Sequence, residues 1–210
     1  GELSTEKVRS AVLGVKLPSQ VQDDLPARPP VLCPGCPHRG IFHVVKKLKL
    51  RVMGDIGCYT LAALAPLSAM DACLCMGASI GMASGAERAR GKEFSKGTVA
   101  VLGDSTFLHS GITPLIDAVY GRSAITVLIL DNRITGMTGH QQNPSTGVDI
   151  HGNPAPQVDL EKLVLGCGVQ HVRVVDPFDI KQTEAALREE TARNAVSVII
   201  ARRPCALLER

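Results

Sequence analysis

Short runs of β-branched and aliphatic residues recur along the chain, and stretches with apolar residues at helical spacing separate them. Each run is about as long as a buried strand. The runs predict strands at residues 50–53, 98–102, 125–130, 172–175 and 196–200. The intervening stretches predict helices at residues 40–49, 77–90, 110–120, 160–165 and 180–194. This alternation is typical of βαβ units, so we predict an α/β fold with three layers, a parallel sheet with helices on both faces.

The first thirty residues differ in character from the rest of the chain. They are polar and end in Pro26, Pro29 and Pro30. We predict a helix-containing arm and a stiff linker over residues 1–30, followed by a single domain over residues 31–210. Because the chain begins with Gly1 rather than Met, we expect it to be a piece of a larger subunit.

The composition narrows the classes of function. Hydrophobic residues make up 45% of the 210 residues, the formal net charge is only +3, and aromatic residues make up 3%. This charge is too small to indicate nucleic-acid binding, and few aromatic rings are available to stack on bases. No signal-peptide pattern is visible, and no apolar run reaches the roughly 18 residues of a membrane span. We therefore expect a cytoplasmic domain that binds neither nucleic acid nor membrane.

Polar residues follow two of the predicted strands directly. Gly103, Asp104, Ser105 and Thr106 follow the second strand, and Asn132 opens a long loop after the third. Asp104 and Asn132 offer the hard oxygen ligands that Mg²⁺ prefers. Gly103 permits a close backbone approach, and hydroxyl and backbone donors at the start of the next helix favour a phosphate. The alternative is a tight turn with a helix N-cap.

The spacing of these residues resembles a known motif. From Gly103 to Asn132 the chain runs about thirty residues, with a strand before each end and a helix between them. This resembles the thiamine-diphosphate motif, in which Gly-Asp-Gly precedes an Asn, although Ser105 replaces the last glycine. The sequence Gly-Met-Thr-Gly-His-Gln at residues 136–141, with Asn-Pro at 143–144, resembles the 2-oxoacid:ferredoxin oxidoreductase family, and in particular its indolepyruvate members. The resemblance covers residues 28–210.

The resemblance implies a thiamine-diphosphate-binding fold and a set of site residues. Mg²⁺ would be held by the side chains of Asp104 and Asn132 and the carbonyl of Ile134. The implied cofactor contacts are Gly57, Cys58, Gly77, Ser79, Gly103, Ser105, Thr106, Gly136, Met137 and Thr138. Gly77 and Ser79 could equally serve close helix packing. His140 is either a polar contact or proton carrier near the thiazolium or substrate, or a loop histidine that bonds to backbone.

Seven cysteines without an export signal argue against a disulfide framework. The pair Cys33 and Cys36 could be a zinc half-site, a redox pair or part of an iron–sulfur site. The family resemblance implies a 4Fe-4S cluster on Cys33, Cys36, Cys58 and Cys205. Alternatively, Cys58 packs on the cofactor and Cys205 is a tail cysteine. We assign Cys73, Cys75 and Cys167 to packing.

The resemblance also implies an activity and partners. The enzyme would decarboxylate an aryl pyruvate such as indolepyruvate oxidatively to an acyl-coenzyme A, with reduction of ferredoxin. No acid in the chain matches the glutamate that contacts the aminopyrimidine ring, so we expect a separate pyrimidine-binding domain or subunit and an oligomer. One alternative is a non-oxidative thiamine-dependent 2-oxoacid decarboxylase module. Another is a zinc-binding interaction domain, which leaves the pairing of Gly103 with Asn132 unexplained.

Overall fold

The computed structural model describes residues 4–15, 26 and 29–208. Contacts divide the chain into two compact units, Gly1–Pro30 and Val31–Arg210. In the first unit, the predicted arm contains helix α1 (Thr5–Leu13), which Ser4 caps by accepting the N–H of Lys7 at 3.3 Å. Most of the predicted linker lies outside the described residues. No helix among the described residues is long and apolar enough to span a membrane.

The second unit contains a six-stranded sheet in which every pairing is parallel. Its strands are β1 (Arg51–Gly54), β2 (Ala72–Cys73), β3 (Thr98–Gly103), β4 (Thr126–Asp131), β5 (His171–Val175) and β6 (Ser197–Arg202). Their spatial order is β2-β1-β3-β4-β6-β5. The five predicted strands are all present. The sequence analysis missed β2, because two residues are too few to show a periodic pattern.

Helices connect these strands. They are α2 (Pro37–Lys47), α3 (Ala78–Arg90), α4 (Lys92–Ser95), α5 (Asp104–Thr106), α6 (Ile112–Tyr120), α7 (Leu160–Gly166) and α8 (Ile180–Thr191). A 3₁₀ helix covers Cys58–Ala63, and a π-helical segment, Phe107–Gly111, joins α5 to α6. The five predicted helices are present with ends shifted by a few residues.

The sheet separates two apolar cores. Val99 and Val101 of β3 pack in one core with residues of α2 and α8. Ala100 and Leu102 pack in the other core with residues of α3, α6 and α7. Successive residues of a strand point to opposite faces, so a strand buried on both faces must be apolar throughout. The three-layer parallel α/β prediction is therefore confirmed.

Three neighbouring strands end at the same edge of the sheet. β1, β3 and β4 are adjacent, and the chain leaves them at Asp55, Asp104 and Asn132. The carboxyl ends of parallel strands meet at one edge, where open α/β sheets bind ligands. The fold thus brings three polar side chains together that are distant in sequence.

Candidate functional site

A pocket opens at the carboxyl ends of β1, β3 and β4, and we call it the strand-end pocket. Most of the predicted cofactor and magnesium residues line it: Gly57, Cys58, Gly103, Asp104, Ser105, Thr106, Asn132, Ile134, Gly136, Met137 and Thr138. The predicted residues Gly77, Ser79 and His140 lie outside this lining. The edge of a parallel sheet is therefore where the predicted residues converge.

Asp104 lies at the centre of this pocket and is only 2% exposed. One carboxylate oxygen accepts the N–H of Ser105 at 2.8 Å. The other faces the amide of Asn143 at 3.4 Å and the hydroxyl of Ser145 at 3.3 Å. Burial, together with the nearby Asp131 carboxylate, raises the pKa of Asp104 to about 6. Three hydrogen-bond donors thus hold a buried carboxylate that can serve as a ligand of a cation.

The loop that follows β4 supplies further oxygens. The side-chain oxygen of Asn132 accepts the N–H of Ile134 at 3.3 Å, and both residues are buried. The preceding residue, Asp131, accepts a hydrogen bond from the guanidinium of Arg202 at 2.7 Å through one carboxylate oxygen. Its other carboxylate oxygen is buried and has no hydrogen bond. Carboxylate, amide and carbonyl oxygens are the ligand types that suit Mg²⁺, so this set fits the predicted ion chemically.

No cluster of three or more His, Cys, Asp or Glu side chains in the described part of the chain surrounds a common point as ligands of a metal ion would. The predicted magnesium set contains one carboxylate beside an amide and a backbone carbonyl, so it is not a cluster of that kind. The same result applies to the four cysteines predicted for the 4Fe-4S cluster, whose thiols do not converge on a single ion position, so that cluster remains a prediction.

Asp55, at the end of β1, is a site residue that the sequence analysis missed. It is fully buried, and the hydroxyl of Tyr59 donates to one of its oxygens in a short hydrogen bond. The other oxygen accepts the N–H of Gly77 at 3.0 Å and the hydroxyl of Ser79 at 3.2 Å. Asp55 therefore ties the start of α3 to the 3₁₀ helix that carries Cys58. The structure places Gly77 and Ser79 against this carboxylate.

We expect Asp55→Asn to change how stability depends on pH. Burial raises the pKa of Asp55 above its usual value of 3.8, although hydrogen bonds act against the shift. The folded state then holds the proton more tightly than the unfolded chain, so this group costs stability as pH rises from about 4 through the folded pKa. Asparagine has no charge to bury, and Tyr59 can donate instead to the carbonyl of Ile56 at 3.1 Å.

The measurement is urea unfolding of wild type and Asp55→Asn from about pH 4 to 7. The free energy of unfolding of the variant, relative to wild type, should rise with pH. Contributions from other acids, including Asp104, cancel in this difference. A difference that stays constant across the range would contradict the expectation.

The four cysteines of the predicted cluster line a second pocket, which we call the cysteine pocket. These are Cys33, Cys36, Cys58 and Cys205. Burial raises the pKa of the Cys36 thiol to about 11, and the nearby thiols of the other three act in the same direction. The backbone N–H of Cys205 donates to the carbonyl of Asn132 at 2.9 Å, which fixes the segment after β6 beside the predicted magnesium loop.

The remaining cysteines lie elsewhere. Cys167 packs at the second core, as predicted, and the Cys73 thiol faces the carbonyl of Asp55 at 3.5 Å. Cys75 is exposed, so its assignment to packing is wrong. The short strand β2 ends at Cys73, and the turn beyond it carries Cys75 to the surface.

The strand-end pocket and the cysteine pocket share a wall. His38, Cys58, Asn132 and Gly136 line both. A Cβ placed on Gly136 would lie 3.4 Å from the sulfur of Cys58, so the loop after β4 packs directly on that thiol. His38 is buried, its ring is 6.1 Å from that of Tyr59 in an edge-to-face arrangement, and burial lowers its pKa to about 4. His38 is therefore a neutral part of this wall.

His140 is exposed and adopts a left-handed backbone conformation with φ of 64°. It lines the cysteine pocket and a neighbouring pocket formed by residues 140–156. Its predicted contact with the thiazolium or substrate remains a prediction.

The sequence analysis also missed Tyr59, His38 and His109, which line the strand-end pocket. The ring of Tyr59 packs against Gly103, because a Cβ added to Gly103 would lie 3.1 Å from that ring. His109 reaches the pocket from the π-helical segment. His38 lies two residues after Cys36, so the cysteine pair could have pointed to it as a site residue. No sequence motif marks His109 in this way.

The parallel α/β sheet, with a buried carboxylate and an amide at neighbouring strand ends, agrees with the predicted thiamine-diphosphate-binding fold. The family described as "Thiamine pyrophosphate enzyme, C-terminal TPP binding domain" matches residues 55–201. The chain belongs to this family.

Similar proteins include two archaeal subunits named "Indolepyruvate oxidoreductase subunit IorA". The Archaeoglobus fulgidus protein is 44% identical over 188 residues, which cover 87% of this chain and 30% of that protein. The Pyrococcus horikoshii protein is 40% identical over an alignment of 233 positions, gaps included, which covers 98% of this chain and 36% of that protein. The chain thus spans about a third of the length of these relatives.

Solved structures of similar fold include a 2-oxoglutarate:ferredoxin oxidoreductase from Magnetococcus marinus, with a TM-score of 0.71 and 19% identity, covering 88% of this chain and 67% of that chain. A thiamine diphosphate-dependent 4-hydroxybenzoylformate decarboxylase from Rhodococcus jostii RHA1 has a TM-score of 0.60 and 20% identity, covering 95% of this chain and 38% of that chain. At these identities the likeness shows the fold alone.

Proposed function

We propose that this chain is the thiamine-diphosphate- and magnesium-binding module of a 2-oxoacid:ferredoxin oxidoreductase of the indolepyruvate type. The complete enzyme decarboxylates an aryl pyruvate oxidatively, transfers the acyl group to coenzyme A and reduces ferredoxin. Family membership and the two relatives named as indolepyruvate oxidoreductase subunits support this proposal. The observation that carries it is the wall shared by the strand-end pocket and the cysteine pocket, with Cys58 in both.

The strand-end pocket is suited to the cofactor and its metal ion. Asp104 and Asn132 would hold Mg²⁺ through their side chains and Ile134 through its carbonyl, and bound thiamine diphosphate would supply the carbanion chemistry of decarboxylation. Ser105, Asn143 and Ser145 orient Asp104 through hydrogen bonds. Such partners keep a ligand in place before the metal ion binds.

The cysteine pocket is suited to a 4Fe-4S cluster, which takes four thiolate ligands. Burial keeps the thiols of Cys36 and Cys58 protonated in the absence of metal by raising their pKa. The four cysteines would hold the cluster as thiolates, so binding it would release their protons. A cluster held here would adjoin the strand-end pocket at Cys58, which lines both pockets, and would supply one-electron transfer from the substrate to ferredoxin.

Part of the active site comes from elsewhere. Among the described residues that line the strand-end pocket, Asp104 is the single carboxylate, and it is assigned to the metal ion. The glutamate that contacts the aminopyrimidine ring therefore belongs to a pyrimidine-binding domain or partner subunit. We accordingly expect an oligomeric enzyme whose catalytic centre forms at an interface with this module, and its cytoplasmic location stays a prediction from the sequence.

The test is metal analysis of the complete enzyme that contains this chain. After anaerobic purification and reconstitution, Cys33→Ala should contain about four fewer iron and four fewer sulfide atoms than wild type. Cys75→Ala is the matched control, because Cys75 is an exposed cysteine outside the cysteine pocket. Equal iron in all three proteins would refute the cluster, and retained thiamine diphosphate binding would then favour a non-oxidative decarboxylase.

A further inference from the structure

One imidazole of the strand-end pocket has no role in the proposed function. His109 lies on the same helical run as Asp104, Ser105 and Thr106, and all four line the pocket. Its side chain is exposed, whereas the other histidine of this lining, His38, is buried. His109 is therefore accessible to a molecule that enters the pocket.

The π-helical segment explains why His109 faces the pocket. In a regular α-helix, a residue five positions after Asp104 points about 140° away from it. The helix instead widens over Phe107–Gly111, and the i to i+5 bonding of a π-turn brings residues five apart back towards one face. Such single-turn widenings are frequent at functional sites.

The hydroxyl of the neighbouring residue Ser110 contacts one ring nitrogen of His109. The Nδ1 atom of His109 lies 2.6 Å from this hydroxyl. Ser110 packs against Gly77: a Cβ added to Gly77 would lie 2.4 Å from the Cβ of Ser110. The backbone N–H of Gly77 in turn donates to the carboxylate of Asp55. With Nδ1 engaged by Ser110, Nε2 is left to contact a ligand.

The charge balance of the pocket shows which ligand suits this nitrogen. No lysine or arginine occurs among the described residues that line the pocket. Burial lowers the pKa of His38 to about 4, which keeps that ring neutral. His109 is thus the exposed imidazole of this lining, and its Nε2 can donate a hydrogen bond to an anionic oxygen. One Mg²⁺ does not neutralise a diphosphate completely, so such a donor is complementary to it.

We propose that His109 binds the diphosphate of the cofactor by donating a hydrogen bond from Nε2 to a phosphate oxygen. This assignment rests on the proposed function. We favour the diphosphate over the other anionic group of the reaction, the substrate carboxylate, because His109 projects from the helical run that begins with the metal ligand Asp104. Ser110 acts as a positioning residue, because it contacts the ring without contacting the phosphate.

The test measures binding of Mg²⁺–thiamine diphosphate to the complete apoenzyme by calorimetry. His109→Ala should weaken binding about tenfold to a hundredfold, the value of a hydrogen bond to a charged group. His109→Gln, which keeps a donor near the position of Nε2, should recover most of this loss. Inorganic pyrophosphate with Mg²⁺ should weaken in parallel, whereas unphosphorylated thiamine should bind equally to wild type and variant. His43→Ala is the matched control, because His43 is exposed on α2 and does not line the pocket.

The outcomes separate this inference from the proposed function. Unchanged thiamine diphosphate affinity in His109→Ala, with normal binding by wild type, would overturn the contact and leave the module assignment intact. If the KM for the 2-oxoacid rose at the same time, the imidazole would be assigned to the substrate carboxylate instead. Wild type that fails to bind thiamine diphosphate and Mg²⁺ would overturn the proposed function, and the contact with it.

Discussion

Asp104→Asn should abolish magnesium-dependent binding of thiamine diphosphate while the domain stays folded. The amide has the same shape as the carboxylate and can still accept the N–H of Ser105, which lies 2.8 Å away. It lacks the negative charge that a hard cation requires. Loss of a hydrogen-bonded partner of a metal ligand already costs about tenfold to a hundredfold in affinity, so loss of the ligand itself should exceed about a hundredfold.

Calorimetric titration of the apoenzyme measures this affinity, and circular dichroism with thermal unfolding reports on the fold. Asp117→Asn is the matched control, since Asp117 is an exposed acid on α6 with only a 3.7 Å ion pair to Arg88. Wild-type affinity in Asp104→Asn would remove this residue from the metal site. Loss of the folded state would instead show that the Asp104 hydrogen bonds are primarily structural.

Gly40→Ala should destabilise the domain, whereas Gly85→Ala should stabilise it. A Cβ on Gly40 would lie 2.1 Å from the carbonyl oxygen and 3.1 Å from the carbonyl carbon of Pro177. These are backbone atoms, so α2 has to move away from the segment that leads into α8. Overpacking of this kind costs about 1–3 kcal/mol, and occasionally more.

Gly85 offers the contrasting case within a helix. It is exposed in the middle of α3, with nothing within 4 Å of an added Cβ, so alanine should add about 1 kcal/mol of helix propensity. Urea unfolding of both variants measures the two changes in the free energy of unfolding. Equal effects in the two variants would show that the close approach of Gly40 to Pro177 is not maintained in solution.

The sequence determined the sheet and part of the site, because the information for both is local. The strands β3, β4 and β6 were visible as nearly continuous apolar runs, because the sheet buries them on both faces. The strands β1 and β5 each contain an arginine and are only partly buried, so they were visible as shorter runs of β-branched and aliphatic residues. Asp104 and Asn132 each follow a strand directly, and the carboxyl ends of parallel strands meet at one edge. The proximity of Asp104 and Asn132 could therefore be predicted from the pattern of strands and helices, given that the sheet is parallel. The resemblance to a family added the set of four cysteines, which the fold brings to one pocket.

Only the tertiary structure decided the arrangement around these residues. Asp55 bonds to Gly77 and Ser79 across 22 and 24 residues of chain, and no periodicity records a contact of that range. The placement of His109 depends on a helix that widens for five residues, and that of His140 on the path of a long loop. The pattern of hydrophobic residues determines which face of a helix or strand is buried. Which polar side chains then meet depends on helix widening, loop path and close glycine contacts, which are settled when the elements pack together.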